Sequence, residues 1–265
     1  MATPIRVGVF GAGGRMGQTV CKAVCDDPDL DLVAAVDPHH AGLDLRSVTG
    51  IDDNTIQVAA AAEELLRQEV DVAVDFTRID AARENLRFLA ANGIHAVVGT
   101  SGFGPDDFET VRSDFTRSNC VVAPNFAIGA VLMARFAELA APFFETAEII
   151  ELHHDAKIDA PSGTAMHTVE RMAAASDQWA DDPTTHHTLE GARGGKGPAG
   201  IPVHSVRLRG IVAHQEVLLG TTGQTLTIRH DSYDRSSFMP GVLLAVKRVG
   251  DLPGLTVGLD DVLGV

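Results

Sequence analysis

The chain has 265 residues, 45% hydrophobic and 22% charged, which supports one large core or two modest ones and excludes a disordered chain. Its 21 Lys and Arg stand against 36 Asp and Glu, and the net charge of −15 repels nucleic acid and anionic membrane. Arg207 and Arg209 are too sparse for a phosphate-backbone footprint, and no stretch has the length and apolarity of a membrane span.

The opening Met-Ala-Thr-Pro-Ile-Arg lacks the anatomy of a signal peptide. Cys21, Cys25 and Cys120 are an odd set with no zinc-like spacing to histidine, and Cys21 and Cys25 lie one helical turn apart. They read as core thiols in a reducing compartment. The expectation is a cytoplasmic protein with no metal site and no nucleic-acid or membrane partner.

Short β-branched runs occur at Ile5–Phe10, Leu32–Asp37, Val70–Asp75, Ala96–Gly99 and Cys120–Ala123. Helical stretches intervene at Arg15–Cys25, Ala60–Gln68, Asp80–Ala91 and Pro105–Thr116. Strands apolar through their length, alternating with helices, predict an α/β Rossmann-type domain with a parallel sheet covered on both faces.

The pattern changes after Asn125. A helix at Ile128–Ala140 leads to a strand at Thr146–His153, a helix starting near Ser162 and a polar stretch at Ser176–Gly200. Strand-like segments follow at Val203–Arg209, Gln215–Leu219 and Gln224–His230, with Thr222-Gly223 as a turn. Strands without intervening helices predict a second α+β domain with a mixed or antiparallel sheet, beginning near residue 127. The helix Pro240–Val249 and strand Leu255–Gly258 fit either domain by pattern alone.

The first strand runs into Gly11-Ala12-Gly13-Gly14-Arg15-Met16-Gly17 and then a helix. Such a turn lets backbone N–H groups approach a pyrophosphate at the helix N-terminus. Met16 takes the last position of G-x-G-x-x-G, so the better fit is G-x-x-G-x-x-G through Gly11, Gly14 and Gly17. Asp37 follows Gly17 by twenty positions at the end of the second strand. A carboxylate there accepts the adenosine ribose hydroxyls and repels a 2′-phosphate, which favours NADH. His39 and His40 carry partial positive charge when protonated and keep NADPH open. Gly99-Thr100-Ser101-Gly102 and Ala123-Pro124-Asn125-Phe126 also follow strand ends, where ligands of open α/β sheets bind.

The segment from Glu151 to Ala165 holds His153, His154, Lys157 and a Ser162-Gly163-Thr164 turn at a helix start. A helix N-terminus with Ser and Thr hydroxyls binds a carboxylate, lysine adds charge, and histidine exchanges protons near neutrality. Together they suit a small dianion whose reduction needs a proton beside a hydride. Two other readings fit the glycine turn alone. One is a different two-domain amino-acid dehydrogenase, which needs no such block; the other is a non-catalytic dinucleotide-binding protein, which need not keep His153 and Lys157.

The blocks Gly11–Gly17, Gly99–Gly102, Ala123–Phe126 and Glu151–Ala165 resemble, in order and spacing, the signature segments of the 4-hydroxy-tetrahydrodipicolinate reductase (dihydrodipicolinate reductase) family. His230-Asp231-Ser232-Tyr233-Asp234-Arg235-Ser236-Ser237-Phe238 resembles its C-terminal block. The resemblance implies reduction of a cyclic imine dicarboxylate with NADH or NADPH on the diaminopimelate route to lysine. It implies His153 as proton donor and acceptor, Lys157 as second proton donor, and His154, Lys157, Ser162, Gly163 and Thr164 around the substrate carboxylates. The cofactor would lie along Gly11, Ala12, Gly13, Gly14, Arg15, Met16, Asp37, Gly99, Thr100, Ser101, Ala123, Pro124, Asn125 and Phe126, with Arg235 and Phe238 reaching it. It further implies a first domain of residues 1–126 and 237–265, a second of 127–236, and a homotetramer built through the second sheet. Asp37 is followed by Pro38-His39, without the arginine that NADPH-preferring members place there. No role is assigned to Ser176–Gly200.

Overall fold

A strand apolar along its whole length needs cover on both faces, and the first half meets that need by winding a helix after most strands. The computed structural model describes residues 3–51 and 55–265. Met1 and Ala2, the start of the expected first domain and of the opening segment read for a signal peptide, and Asp52, Asp53 and Asn54 lie outside the described residues. The chain divides into two units, Met1–Phe126 with Phe238–Val265, and Ala127–Ser237.

In the first unit β1 (Ile5–Phe10), α1 (Arg15–Asp26), β2 (Leu30–Val36), α2 (Leu45–Thr49) and α3 (Glu63–Arg67) come first. Then follow β3 (Val72–Asp75), α4 (Ile79–Asn92), β4 (His95–Val98), α5 (Pro105–Asp114) and β5 (Cys120–Val122). The second unit contains α6 (Ile128–Ala140), β6 (Thr146–His153), α7 (Gly163–Ala175), β7 (Gly195–Lys196), β8 (Pro202–Arg207), β9 (Ala213–Thr221) and β10 (Gln224–Ser232). The chain closes with α8 (Met239–Arg248), β11 (Leu255–Val257) and α9 (Asp260–Leu263), all in the first unit.

The first sheet has the order β11-β5-β4-β3-β1-β2, and each pairing is parallel. β1 lies between β2 and β3, so the chain winds to one side of β1 and then to the other. The crevice that opens at such a reversal, beyond the strands' C-terminal ends, is where open α/β sheets bind ligands. α1 turns Gly17, Val20, Cys21 and Val24 inward, a stripe at helical spacing. The closing segment joins this sheet through the pairing of β11 with β5, and Asn119 ties it down: its amide donates to the carbonyls of Val249 and Gly250 at 2.9 Å, and its oxygen accepts from Gly254 N–H. Periodicity alone left that docking open.

The second sheet runs β10-β9-β6-β8-β7 and is mixed, with β6 and β8 parallel and the other pairs antiparallel. β6 alternates, so Ala147, Ile149 and Glu151 face inward. Met133 and Ala137 of α6 and Val169 and Met172 of α7 pack there with Val203, Val217 and Leu219. Each Val, Leu or Met side chain there contributes about 1.5–3 kcal/mol by leaving water.

Some expectations shift. The helix expected at Ala60–Gln68 is only Glu63–Arg67, and α2 was not foreseen. Cys21 is a core thiol whose pKa burial pushes up to about 12, but Cys25 is exposed in the last turn of α1. Four residues advance a helix by slightly more than a turn, enough at a helix end to leave the covered face. The Ser176–Gly200 stretch is mostly irregular, and Arg193 anchors it to Glu148 of β6. Among the described residues no helix is long and apolar enough to cross a membrane.

Candidate active site

The turn after β1 needs glycine for reasons of space. Gly11 has a left-handed backbone, φ +68°, and its carbonyl accepts from Gly14 N–H at 2.9 Å. A Cβ on Gly17 would stand 2.0 Å from the Gly11 oxygen, and one on Gly13 would stand 2.1 Å from Nδ1 of His40. Gly11 N–H donates to Val36 O at 2.8 Å, which ties the turn to the end of β2.

Asp37, just beyond β2, is only 6% exposed and braces this turn. Its carboxylate accepts from Gly13 N–H at 2.9 Å and His39 N–H at 3.0 Å, and His40 Nδ1 lies 3.2 Å away. Burial opposes its ionisation, but His40 and the two backbone donors outweigh it and hold the carboxyl below the usual range.

The other cofactor candidates of this unit divide by position. Met16, Gly99, Pro124, Asn125, Phe126 and Phe238 line a solvent-open cleft of about 430 Å³ together with Phe76. A Cβ on Gly99 would stand 2.0 Å from the Phe76 ring, so glycine there lets the ring lie against the loop as it does. Ala12 and Ala123 are buried, whereas Gly14, Arg15 and Ser101 are exposed. The Thr100 hydroxyl donates to the buried Asp75 carboxylate at 3.1 Å, bracing the loop. A glycine cradle at the strand reversal with an apolar cleft beside it fits a dinucleotide carrying a flat ring.

In the second unit, β6 delivers His153 at its last position, and Lys157 follows in the turn beyond. His153 Nδ1 lies 2.6 Å from Oε2 of Glu151, a carboxylate with 0% exposure. Arg207 of β8 grips both Glu151 oxygens, Nη1 to Oε2 at 2.9 Å and Nη2 to Oε1 at 2.8 Å, and Nη2 also donates to Asp159 O at 2.7 Å. Burial works against the Glu151 carboxylate, yet Arg207, Ser205 and His153 hold its pKa below the usual range. Burial pushes the His153 imidazole below its ordinary value; Glu151 opposes this, and Lys157 and Arg207 reinforce it.

Lys157 Nζ donates to both oxygens of Asp159 at 2.8 Å. Ser162 is the N-cap of α7, its hydroxyl accepting from Ala165 N–H at 3.2 Å. Gly163 is exposed, Thr164 partly buried, and the His154 side chain exposed. Arg235 is exposed in the short turn Arg235–Phe238. Among the described residues no group of three or more His, Cys, Asp or Glu is placed to hold a metal.

The family model described as dihydrodipicolinate reductase, N-terminus, matches residues 5–126, and that described as dihydrodipicolinate reductase, C-terminus, matches residues 129–263. The chain belongs to the dihydrodipicolinate reductase family. It is 49% identical to the 4-hydroxy-tetrahydrodipicolinate reductase of Corynebacterium urealyticum, covering 98% of this chain and 99% of that one. It is 51% identical to that of Mycobacterium ulcerans, covering 98% and 100%. The dipicolinate-bound dihydrodipicolinate reductase from Paenisporosarcina sp. TG-14 superposes with a TM-score of 0.85 at 40% identity, covering 98% of this chain and 99% of that one. An amine dehydrogenase from Mycobacterium smegmatis, at 15% identity and a TM-score of 0.67, shares the fold alone.

Within this dihydrodipicolinate reductase family member, sequence reasoning missed Glu151, Arg207 and Phe76. Strand alternation puts Glu151 on the same face as His153, but its burial follows only from the packing of α6 and α7. Arg207 was weighed as part of a basic surface and given no role, because nothing local brings β8 beside β6.

Proposed function

We propose that the chain reduces 4-hydroxy-tetrahydrodipicolinate to tetrahydrodipicolinate on the diaminopimelate route to lysine, using NAD(P)H. The observation that carries this reading is the cluster at the end of β6: a histidine, a lysine in the turn that follows, and the capped N-terminus of α7. That set suits a small dicarboxylate, and the family relationship supports the same substrate. The Gly11–Met16 turn and the cleft at Met16, Phe76 and Gly99 would hold the cofactor, which supplies a hydride when bound.

The substrate carboxylates dock on Lys157, His154 and the Ser162–Thr164 turn. Lys157 leaves Asp159 to take up a substrate carboxylate. Loss of the ring hydroxyl with a neighbouring ring proton as water gives a conjugated imine; the hydride that the cofactor would supply would add at ring C4, and the resulting enamine anion would take up a single proton, from His153 or in its place from Lys157. Groups that interact more strongly with that anion than with the ground state raise the rate. Asp37 favours NADH, since a 2′-phosphate would bring negative charge to an ionised carboxylate. Gly13, Arg15, Thr100, Ser101, Ala123 and Arg235 complete the proposed cofactor contacts.

A homotetramer through the second sheet is part of the same reading. Its face away from α6 and α7 carries Ile150, Leu152, Val206 and Leu218, partly buried within one subunit, beside ion pairs such as Arg229–Glu216. Sedimentation equilibrium reads the mass; a monomer at micromolar concentration would remove this part.

The test follows NADH and NADPH oxidation with substrate made in situ from pyruvate and aspartate semialdehyde by the preceding synthase. Oxidation that needs the synthase and is blocked by pyridine-2,6-dicarboxylate is the expected result, faster with NADH. Absence of oxidation by a folded protein that binds NADH would overturn the substrate; equal rates would remove the role of Asp37.

A further inference from the structure

Glu151 is a fully buried carboxylate on the strand that delivers His153, and neither the spacing of the histidine block nor the proposed chemistry gives it work. A buried carboxylate is costly unless paired, and its pairing here is unusually complete. Arg207 occupies both oxygens, Ser162 N–H donates to Oε1 at 3.2 Å, and His153 Nδ1 takes Oε2 at 2.6 Å. An ionised carboxylate only accepts hydrogen bonds, so the nitrogen facing it must carry the hydrogen.

We propose that Glu151, clamped by Arg207, is the positioning residue for His153, fixing the Nδ1–H tautomer and leaving Nε2 as the atom that exchanges a proton with substrate. The proposal rests on the reading of His153 as the proton-transfer residue.

Sheet geometry explains how the parts meet. Residues two apart on β6 share a face, so Glu151 and His153 lie side by side. The parallel register sets Ser205 opposite Glu151 and Arg207 opposite His153. Arg207 therefore stands beside the imidazole, yet it spends its guanidinium on the carboxylate and on Asp159 O, at the turn that carries Lys157.

The charges balance in a way that suits proton transfer. A lone carboxylate 2.6 Å from an imidazole would trap the proton on it. Arg207 offsets that charge, so Glu151 orients the ring without locking it as imidazolium. The charged groups facing His153 are Glu151 on its own strand, Arg207 on β8, and Lys157 in the following turn, and the ring's lowered pKa reflects burial with the two cations against one anion. A role confined to pairing Arg207 and capping α7 would still move the titration through the Glu151 charge but would leave kcat indifferent to Glu151, so the tautomer and kcat separate the two.

The test uses the full chain with ¹⁵N-labelled histidine, the His153 signals being assigned by their loss in His153→Ala. In the parent protein the neutral imidazole should be the Nδ1–H tautomer; a predominant Nε2–H tautomer overturns the proposal without any variant at Glu151. Glu151→Gln should move the His153 titration to lower pH and Arg207→Gln should move it to higher pH. Glu151→Gln should also lower kcat about 10- to 100-fold with little change in KM for the cofactor. A titration unmoved in both variants overturns the proposal, and a poorly folded Glu151→Gln leaves the parent tautomer to decide. If His153→Ala keeps full turnover while the tautomer is as expected, it is the proton-transfer role of His153 that fails, and the positioning contact stands without that function.

Discussion

Gly163→Ala separates folding from substrate binding at a single position. Gly163 opens α7 behind the Ser162 cap, and an added Cβ there meets no atom within 4 Å. In the free protein the change should be harmless or favourable by about 0.4–1 kcal/mol, through the lost freedom of the unfolded chain. That raises the melting temperature about 1–4 °C in a chain of this size. Helical Cβ atoms tilt toward the N-terminus, which is the side a docking carboxylate approaches. Hydrogen bonds to a charged group are worth about 1.5–3 kcal/mol, so crowding one off the turn should raise KM for the dicarboxylate about 10- to 100-fold. Thermal denaturation, steady-state nicotinamide oxidation and calorimetric titration with pyridine-2,6-dicarboxylate read the two effects independently. An unchanged KM beside an unchanged or higher melting temperature refutes docking at this turn. A fall in melting temperature refutes the reading of open space.

Gly17→Ala is the converse, because its Cβ would meet backbone, the Gly11 oxygen, at 2.0 Å. It should cost about 1–3 kcal/mol by overpacking and weaken NADH binding; a urea midpoint and Kd equal to the parent's would show that the turn has room. Asp159→Asn frees Lys157 from an exposed carboxylate that competes with the substrate's, so KM should fall about two- to fivefold, and a KM that rises would mean Asp159 holds Lys157 ready instead. Burial disfavours the charged form of His153, so the limb where kcat/KM declines with rising pH should lie below the ordinary histidine value of about 6.5. A docked dianion favours the imidazolium, which places the corresponding limb of kcat at higher pH; coincident limbs in the two profiles would contradict that coupling.

The alternation of apolar runs and helices in residues 5–123, the glycine turn and the His-Lys block are local patterns, and each determines its own backbone almost unaided. The turn favours glycine at Gly11 because it takes φ +68°, where a side chain is strained, and Ser162 caps α7 because a short hydroxyl before a helix meets its free N–H groups. From these the α/β fold and the family were legible, while the strand run after residue 127 left the second sheet open as mixed or antiparallel. Tertiary structure decided what depends on pairing across the chain. The pairing of β11 with β5, tied down by Asn119, brings the last helix and strand back to the first sheet through contacts more than a hundred residues apart in sequence. The parallel pairing of β8 with β6 sets Arg207 against Glu151, 56 residues away, and makes a buried carboxylate the support of His153. Burial and opposite charge act through space, so a glutamate on a strand becomes part of a site only once the helices that cover it and the strand beside it are in place.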